Sequence, residues 1–252
     1  MALFMLTKFV YLGDQEIEYL CRQMYRQFLH DALESSGRLD AADLPTEIQR
    51  VIASTRFYHL GGPGESGGYV LYLFRQQSKI PIHLVLNPLK EALPASNLCF
   101  VDDLSLSGEQ ARDYLDSLPK VPRDRTTLLF MAVTSIAKDL LTREGFKVIA
   151  PIVIDEKETK LGAASGMILD CGLELRGVAT EAELRRFAEE YGRLAWSGFP
   201  MGFKALGLAL GLHHNTPDDT LPIFWSDVNW FPIMPRHPKV EGGVVPEERY
   251  FV

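Results

Sequence analysis

The chain has 252 residues, enough for one large or two small domains, and at 46% hydrophobic and 23% charged residues its composition is that of an ordinary globular protein. A net charge of −7 argues against a surface dominated by contact with nucleic acid. Three widely spaced cysteines without a Cys-x-x-Cys pair, no apolar run near the ~18 residues of a membrane span, and an apolar start interrupted by Lys8 point to a cytoplasmic protein with reduced thiols, no membrane contact and no signal peptide.

Residues 3–12 read as a short strand or an apolar arm. From Asp14 to about Ser35, Ile17, Leu20, Cys21, Met24, Phe28 and Leu29 recur on one helical face, with Asp14 as N-cap. Pro45 opens a second helix that runs to about Ser54. Phe57–Leu60 reads as a strand. It leads into Gly61-Gly62-Pro63-Gly64-Glu65-Ser66-Gly67-Gly68, a loop that can turn sharply and approach a ligand, or be merely a flexible turn. It is neither a GxGxxG fingerprint nor a P-loop. Tyr69–Gln77 predicts a helix apolar nearly all round, and Ile80–Leu86 a second strand.

Leu98-Cys99-Phe100-Val101 is a short unbroken apolar run, as expected of a strand buried on both faces. It is followed at once by Asp102-Asp103, then the small-residue turn Leu104-Ser105-Leu106-Ser107-Gly108, then an amphipathic helix through Ala111, Tyr114, Leu115 and Leu118. Ligands of open parallel sheets bind at the carboxyl ends of strands, and a helix N-terminus there suits a phosphate. The two carboxylates, expected at the solvent-facing end of the strand, suit hydroxyl groups or a hydrated cation. Ser107-Gly108-Glu109-Gln110 is also a capping box, which needs no ligand.

Further strands are expected at Thr126–Val133 and Phe146–Ile154, with a helix capped by Ser135 and stopped at Gly145 between them. The alternation gives an α/β fold: an open parallel sheet of about five strands between Arg56 and Asp155. After a charged connection, Thr180 to about Ser197 reads as an amphipathic helix and Lys204–Leu212 as a short apolar one. The last stretch, from His213-His214-Asn215-Thr216-Pro217-Asp218-Asp219 through Trp225 and Trp230 to Arg236 and His237, is rich in Pro and aromatics. Adjacent side chains on an extended segment point opposite ways, and no second ligand cluster accompanies His213-His214, so no metal site is assigned.

The Leu98–Asp103 segment resembles the ribose-phosphate signature of type I phosphoribosyltransferases. The resemblance implies that Asp102 and Asp103 face the ribose hydroxyls and that Ser105, Ser107, Gly108 and Gln110 surround the 5′-phosphate. It further implies that the loop with Gly61, Gly62, Ser66 and Gly67 holds pyrophosphate or a leaving group, with Mg²⁺ on that pyrophosphate. Leu106, which lacks the usual hydroxyl, and the acidic Glu109 depart from the pattern.

Gly62-x-x-x-Ser66-Gly67, Phe-Val-Asp-Asp and the late His-Asn-Thr-Pro-x-x-Thr-Leu-Pro-x-x-Trp block together look like a divergent branch of bacterial conflict and antiphage-defence systems, including retron-associated effectors. That likeness spans about Arg56 to Arg236. It implies a phosphoribosyl or nucleotide ligand, chemistry at ribose C1′, and a regulating protein partner. Asn215, Asp218, Asp219 and Trp225 are candidates for closing the pocket. The expected organisation is one domain: an N-terminal helical cap (1–55), an α/β core (56–156) and a C-terminal extension (157–252) over the sheet's edge. The competing reading is a ligand-sensing or scaffold module that keeps the pocket and performs no chemistry.

Overall fold

The computed structural model describes residues 2–7, 9–62, 65–85, 97–118, 121–155, 181–228 and 231–235. In chain order the elements are α1 (Ala2–Leu6), β1 (Val10–Leu12), α2 (Asp14–Ser35), α3 (Leu44–Ala53), β2 (Thr55–His59), α4 (Ser66–Ser78), β3 (Asn97–Ser105), α5 (Glu109–Ser117), β4 (Thr126–Thr134), α6 (Ser135–Arg143), β5 (Lys147–Ile149), β6 (Ile152–Ile154), α7 (Glu181–Ala195), β7 (Leu210–Leu212) and α8 (Pro222–Trp225).

The main sheet is parallel throughout, in the order β2-β3-β4, with β5 and β6 both on the far side of β4. β3 and β4 are central and buried on both faces, which explains their near-continuous apolar runs. Side-chain alternation divides the core. Phe57, Cys99, Val101, Leu129 and Met131 meet Ile17, Cys21, Met24 and Phe28 of α2 and Val70, Leu71 and Phe74 of α4. Leu98, Phe100, Leu128 and Phe130 meet Ala111 and Leu115 of α5 and Ala137 and Leu141 of α6. The expected open parallel α/β sheet is therefore present. A third cluster joins Met5 to Leu184, Ala188, Leu221 and Phe224, and β1 pairs in parallel with β7, so both ends of the described chain are tied together.

Several local expectations are corrected. Ile80–Leu86 is not a strand: Ile82–Leu84 forms a 3₁₀ turn, with Ile80 and Leu84 buried and Ile82 exposed, an arrangement of period four rather than two. The expected strand Phe146–Ile154 is interrupted. Pro151 has no N–H to give the ladder, so β5 and β6 pair separately with Leu129 and Ala132 of β4, in unbroken register. Lys204–Leu212 is a 3₁₀ turn (Phe203–Ala205) followed by β7, not a helix. Residues 3–12 combine a helix and a strand. The N-caps are Gly13 for α2 and Thr134 for α6, each one residue before the expected Asp14 and Ser135. α4 is one-sided, with Tyr69 and Tyr72 exposed.

Burial pushes the Cys21 thiol up to about 12 and Cys99 well above its ordinary value, so both are inert packing residues. Pro63, Gly64, Pro119, Cys171, Thr180, Trp230, Arg236, His237 and the connections at 86–96 and 156–160 lie outside the described residues. Among the described residues, no helix is long and apolar enough to cross a membrane.

Candidate functional site

β3 does not stop at the acidic pair, as the sequence suggested. It runs on to Ser105, with Asp102, Leu104 and Ser105 opposite Phe130, Ala132 and Val133 of β4. β2 ends earlier, at His59 opposite Val101. The acidic pair therefore sits where β3 has outrun its neighbour, beside the loop that leaves β2. Leu60 gives its N–H to Val101, and Gly61 then turns the chain at φ +98°. α4 starts at Ser66, so Gly67 and Gly68 belong to its first turn rather than to the loop.

Gly67 is held tight against the strand end. A Cβ there would lie 2.1 Å from the Leu60 carbonyl oxygen and 3.3 Å from Asp102 Oδ1. The helix N-terminus is thereby seated over Asp102, whose Oδ1 accepts from Asp103 N (2.9 Å) and, at 3.4 Å, from the Ser66 hydroxyl.

Both carboxyls are buried, which corrects the expectation of a solvent-facing pair. Burial, reinforced by the neighbouring Asp103 charge, holds the Asp102 carboxyl well above the usual carboxylate range, so Asp102 keeps its proton near neutrality. Asp103 takes a hydrogen bond from Leu104 N at 2.7 Å on Oδ1 and faces His214 Nε2 at 3.0 Å through Oδ2. With Asp102 neutral, the negative charge of the pair rests on Asp103, where an imidazole N–H can meet it.

The turn after β3 builds the second half of the site. Gly108 caps α5 at φ +78°, and a Cβ there would meet Leu140 at 2.9 Å and Ala137 at 3.1 Å. The expected capping box is absent: Ser107 Oγ accepts from Glu109 N, and Gln110 Nε2 reaches across to Glu65 Oε2 at 3.1 Å. The same Glu65 oxygen accepts from Gly62 N at 3.2 Å. Glu65 therefore links the β2–α4 loop to the first turn of α5, and the two loops share one edge of the sheet, as expected. Leu106 O accepts from Thr134 Oγ1, fixing the turn to β4. Glu109, the unfavourable charge beside a phosphate position, is matched by Lys204, whose Nζ lies 2.9 Å from Oε2.

The C-terminal segment closes the edge. Leu212 and Asn215 exchange backbone hydrogen bonds of 2.8 and 3.2 Å around a two-residue turn, with His213 and His214 at its tip. The two rings diverge: His213 Nδ1 meets Tyr11 OH, while His214 turns inward to Asp103 and lies against Tyr69, ring centroids 4.9 Å apart. His214 is the site residue that sequence reasoning missed, having been weighed only as a metal ligand. Nothing local marks it, because Asp103 is 111 positions away.

Asn215 contributes by closing that turn. Asp218 and Asp219 accept on their backbone carbonyls from Phe203 and Leu208, and Trp225 gives its indole N–H to Thr220 and packs edge-on to Trp196. These bonds are internal to the C-terminal segment. Ser105 is buried at the end of β3. Among the described residues, no group of three His, Cys, Asp or Glu side chains could hold a metal ion. A protonated Asp102 beside an Asp103 facing His214 does not fit a bare cation.

A parallel sheet with an acidic pair and two helix-opening loops on one edge defines a phosphoribosyltransferase-like class of α/β protein. The chain belongs to the PRTase-CE family, whose model matches residues 1–236. Among solved structures, it resembles orotate phosphoribosyltransferase from Aeropyrum pernix, at 16% identity and a TM-score of 0.29 over 42% of this chain and 62% of that one. The match thus spans less than two thirds of that enzyme's length. Comparison with curated proteins gave no match.

Proposed function

We propose that this protein binds a phosphorylated ribose, free or within a nucleotide, at the edge formed by the acidic pair and the loops before α4 and α5, and that it makes or breaks the N-glycosidic bond at C1′. The observation that carries the reading is the convergence of Ser66, Asp102, Asp103 and the Ser107–Gly108 turn on one sheet edge, with Glu65 bonded to both loops. The first N–H groups of α5 suit a 5′-phosphate, and the Lys204–Glu109 pair offsets the one misplaced charge there. Protonated Asp102 offers a donor and Asp103 an acceptor to the ribose hydroxyls. The Asp103 charge also favours the positive charge that develops toward C1′ as the glycosidic bond lengthens. Mg²⁺ would be carried by a substrate pyrophosphate rather than by a protein cage. The family likeness extends the proposal to an effector of bacterial antiphage defence, folded as one unit and governed by a protein partner.

A second reading, a sensor that binds the same ligand without turnover, is favoured by one observation: Asp103 already faces a partner in His214. Titration with phosphoribosyl pyrophosphate and nucleotides, run beside an isotopic assay for released pyrophosphate or free base, separates the two. Binding with release supports the enzyme and binding alone the sensor. No binding to the folded protein sinks both.

A further inference from the structure

The inference rests on the phosphosugar reading above and adds its regulation. His214 and Asp103 are nearly enclosed, with side-chain exposures of 12% and 8%, and meet at 3.0 Å. An imidazole N–H against a carboxylate oxygen is the contact that a ribose hydroxyl would make in its place. The other ring nitrogen, Nδ1, is buried and has no hydrogen-bond partner among the described residues. A nitrogen stripped of water without replacement makes the closed arrangement less favourable than its short contact implies.

The backbone of the turn is held independently of that contact. Leu12 pairs with Leu212, His213 N donates to Leu12 O at 2.9 Å, and the Leu212–Asn215 bonds close the turn. His213 is fastened on the outside, to Tyr11 and near Asp14. The His214 ring can therefore leave Asp103 while the strand pairing that carries it stays intact.

We propose that His214 is a latch on the phosphosugar site: in this closed form it occupies the place on Asp103 that a ligand hydroxyl takes, and phosphorylated ribose binds by displacing it. The site is then closed at rest by the chain's own C-terminal segment. Departure of His214 exposes both Asp103 and the ring of Tyr69. Whatever draws the 213–214 turn outward opens the site.

Calorimetric titration with phosphoribosyl pyrophosphate tests this on wild type, H214A, H214Q and H214A/D103N, each well below its melting temperature. Removing the competitor should tighten H214A about tenfold or more over wild type. H214Q keeps a side-chain N–H donor and should stay near wild type, and D103N should abolish the gain. Equal binding by wild type and H214A overturns the latch while leaving the phosphosugar reading intact. Weaker binding by H214A overturns it too, because His214 would then belong to the bound site. If no folded variant binds, the phosphosugar reading fails and the latch with it.

A second measurement needs no destabilised variant. The ring-proton resonance of His214 in wild type, shifted by Tyr69, should move on ligand addition to the position of a solvent-exposed histidine. An unmoved resonance in a ligand-saturated sample overturns the latch.

Discussion

Lys204 Nζ lies 2.9 Å from Glu109 Oε2, so a lysine from the C-terminal segment neutralises the acid that opens α5. In the sequence the two are 95 positions apart, and Glu109 alone argues against phosphate binding. Paired, it leaves the N-terminus of α5 close to neutral in side-chain charge and positive in its backbone N–H groups.

The pair is half-exposed, so it should contribute little to stability. Lys204→Ala is expected to change the unfolding free energy by no more than about 1 kcal/mol. It should weaken phosphoribosyl pyrophosphate binding several-fold by uncovering Glu109, and E109Q in the same chain should restore the affinity. Denaturant melts and titrations on the three proteins check this; equal ligand affinity in all three would remove Glu109 from the phosphate corner.

Gly67 and Gly68 are adjacent in the first turn of α4 and should respond oppositely to alanine. At Gly67 the new Cβ would meet the Leu60 carbonyl at 2.1 Å, whereas Gly68 has open space. Gly67→Ala should lift the helix end from Asp102 and cost about 1–3 kcal/mol. Gly68→Ala should stabilise the helix by about 0.5–1 kcal/mol. Thermal melts of the two single variants give the comparison.

Asp102 should make stability depend on pH in the sense opposite to a salt-bridged carboxylate. Its pKa is raised in the folded protein, chiefly by burial and then by the Asp103 charge. The folded state thus holds the proton more tightly than the unfolded chain. Its contribution is fully present below the ordinary carboxylate pKa and is lost as pH climbs through the raised folded value. Asp102→Asn keeps the Oδ1 acceptor for Asp103 N and Ser66 and removes the titration. Melting temperatures across an acid-to-alkaline series should show this variant gaining on wild type as pH rises; a gap that widens toward acid instead would contradict the assignment.

The central fold was legible because burial on both faces leaves a local trace. β3 and β4 are apolar runs long enough to admit no other reading, and α2 shows its stripe along a helix of 22 residues. Ile80, Ile82 and Leu84 misled because their alternate spacing suits a strand, yet Pro81 and the 3₁₀ turn leave Ile82 outside. β7 was invisible for another reason: it has three residues, and it is a strand only because β1, from the far end of the chain, lies beside it. The position of Asp102 and Asp103 followed from the strand pattern, but their burial did not. It depends on the turn carrying His214 and on the seating of Gly67, both long-range contacts.

The most direct test of the central claim is the affinity of the Asp102→Asn/Asp103→Asn double variant for phosphoribosyl pyrophosphate, measured beside its melting curve. The account predicts a folded protein whose affinity falls about tenfold to a hundredfold or more, since each lost charge-assisted or donor contact is worth about 1.5–3 kcal/mol. Unchanged affinity together with a lowered melting temperature would contradict it, leaving Asp102 and Asp103 as packing residues beneath the C-terminal segment.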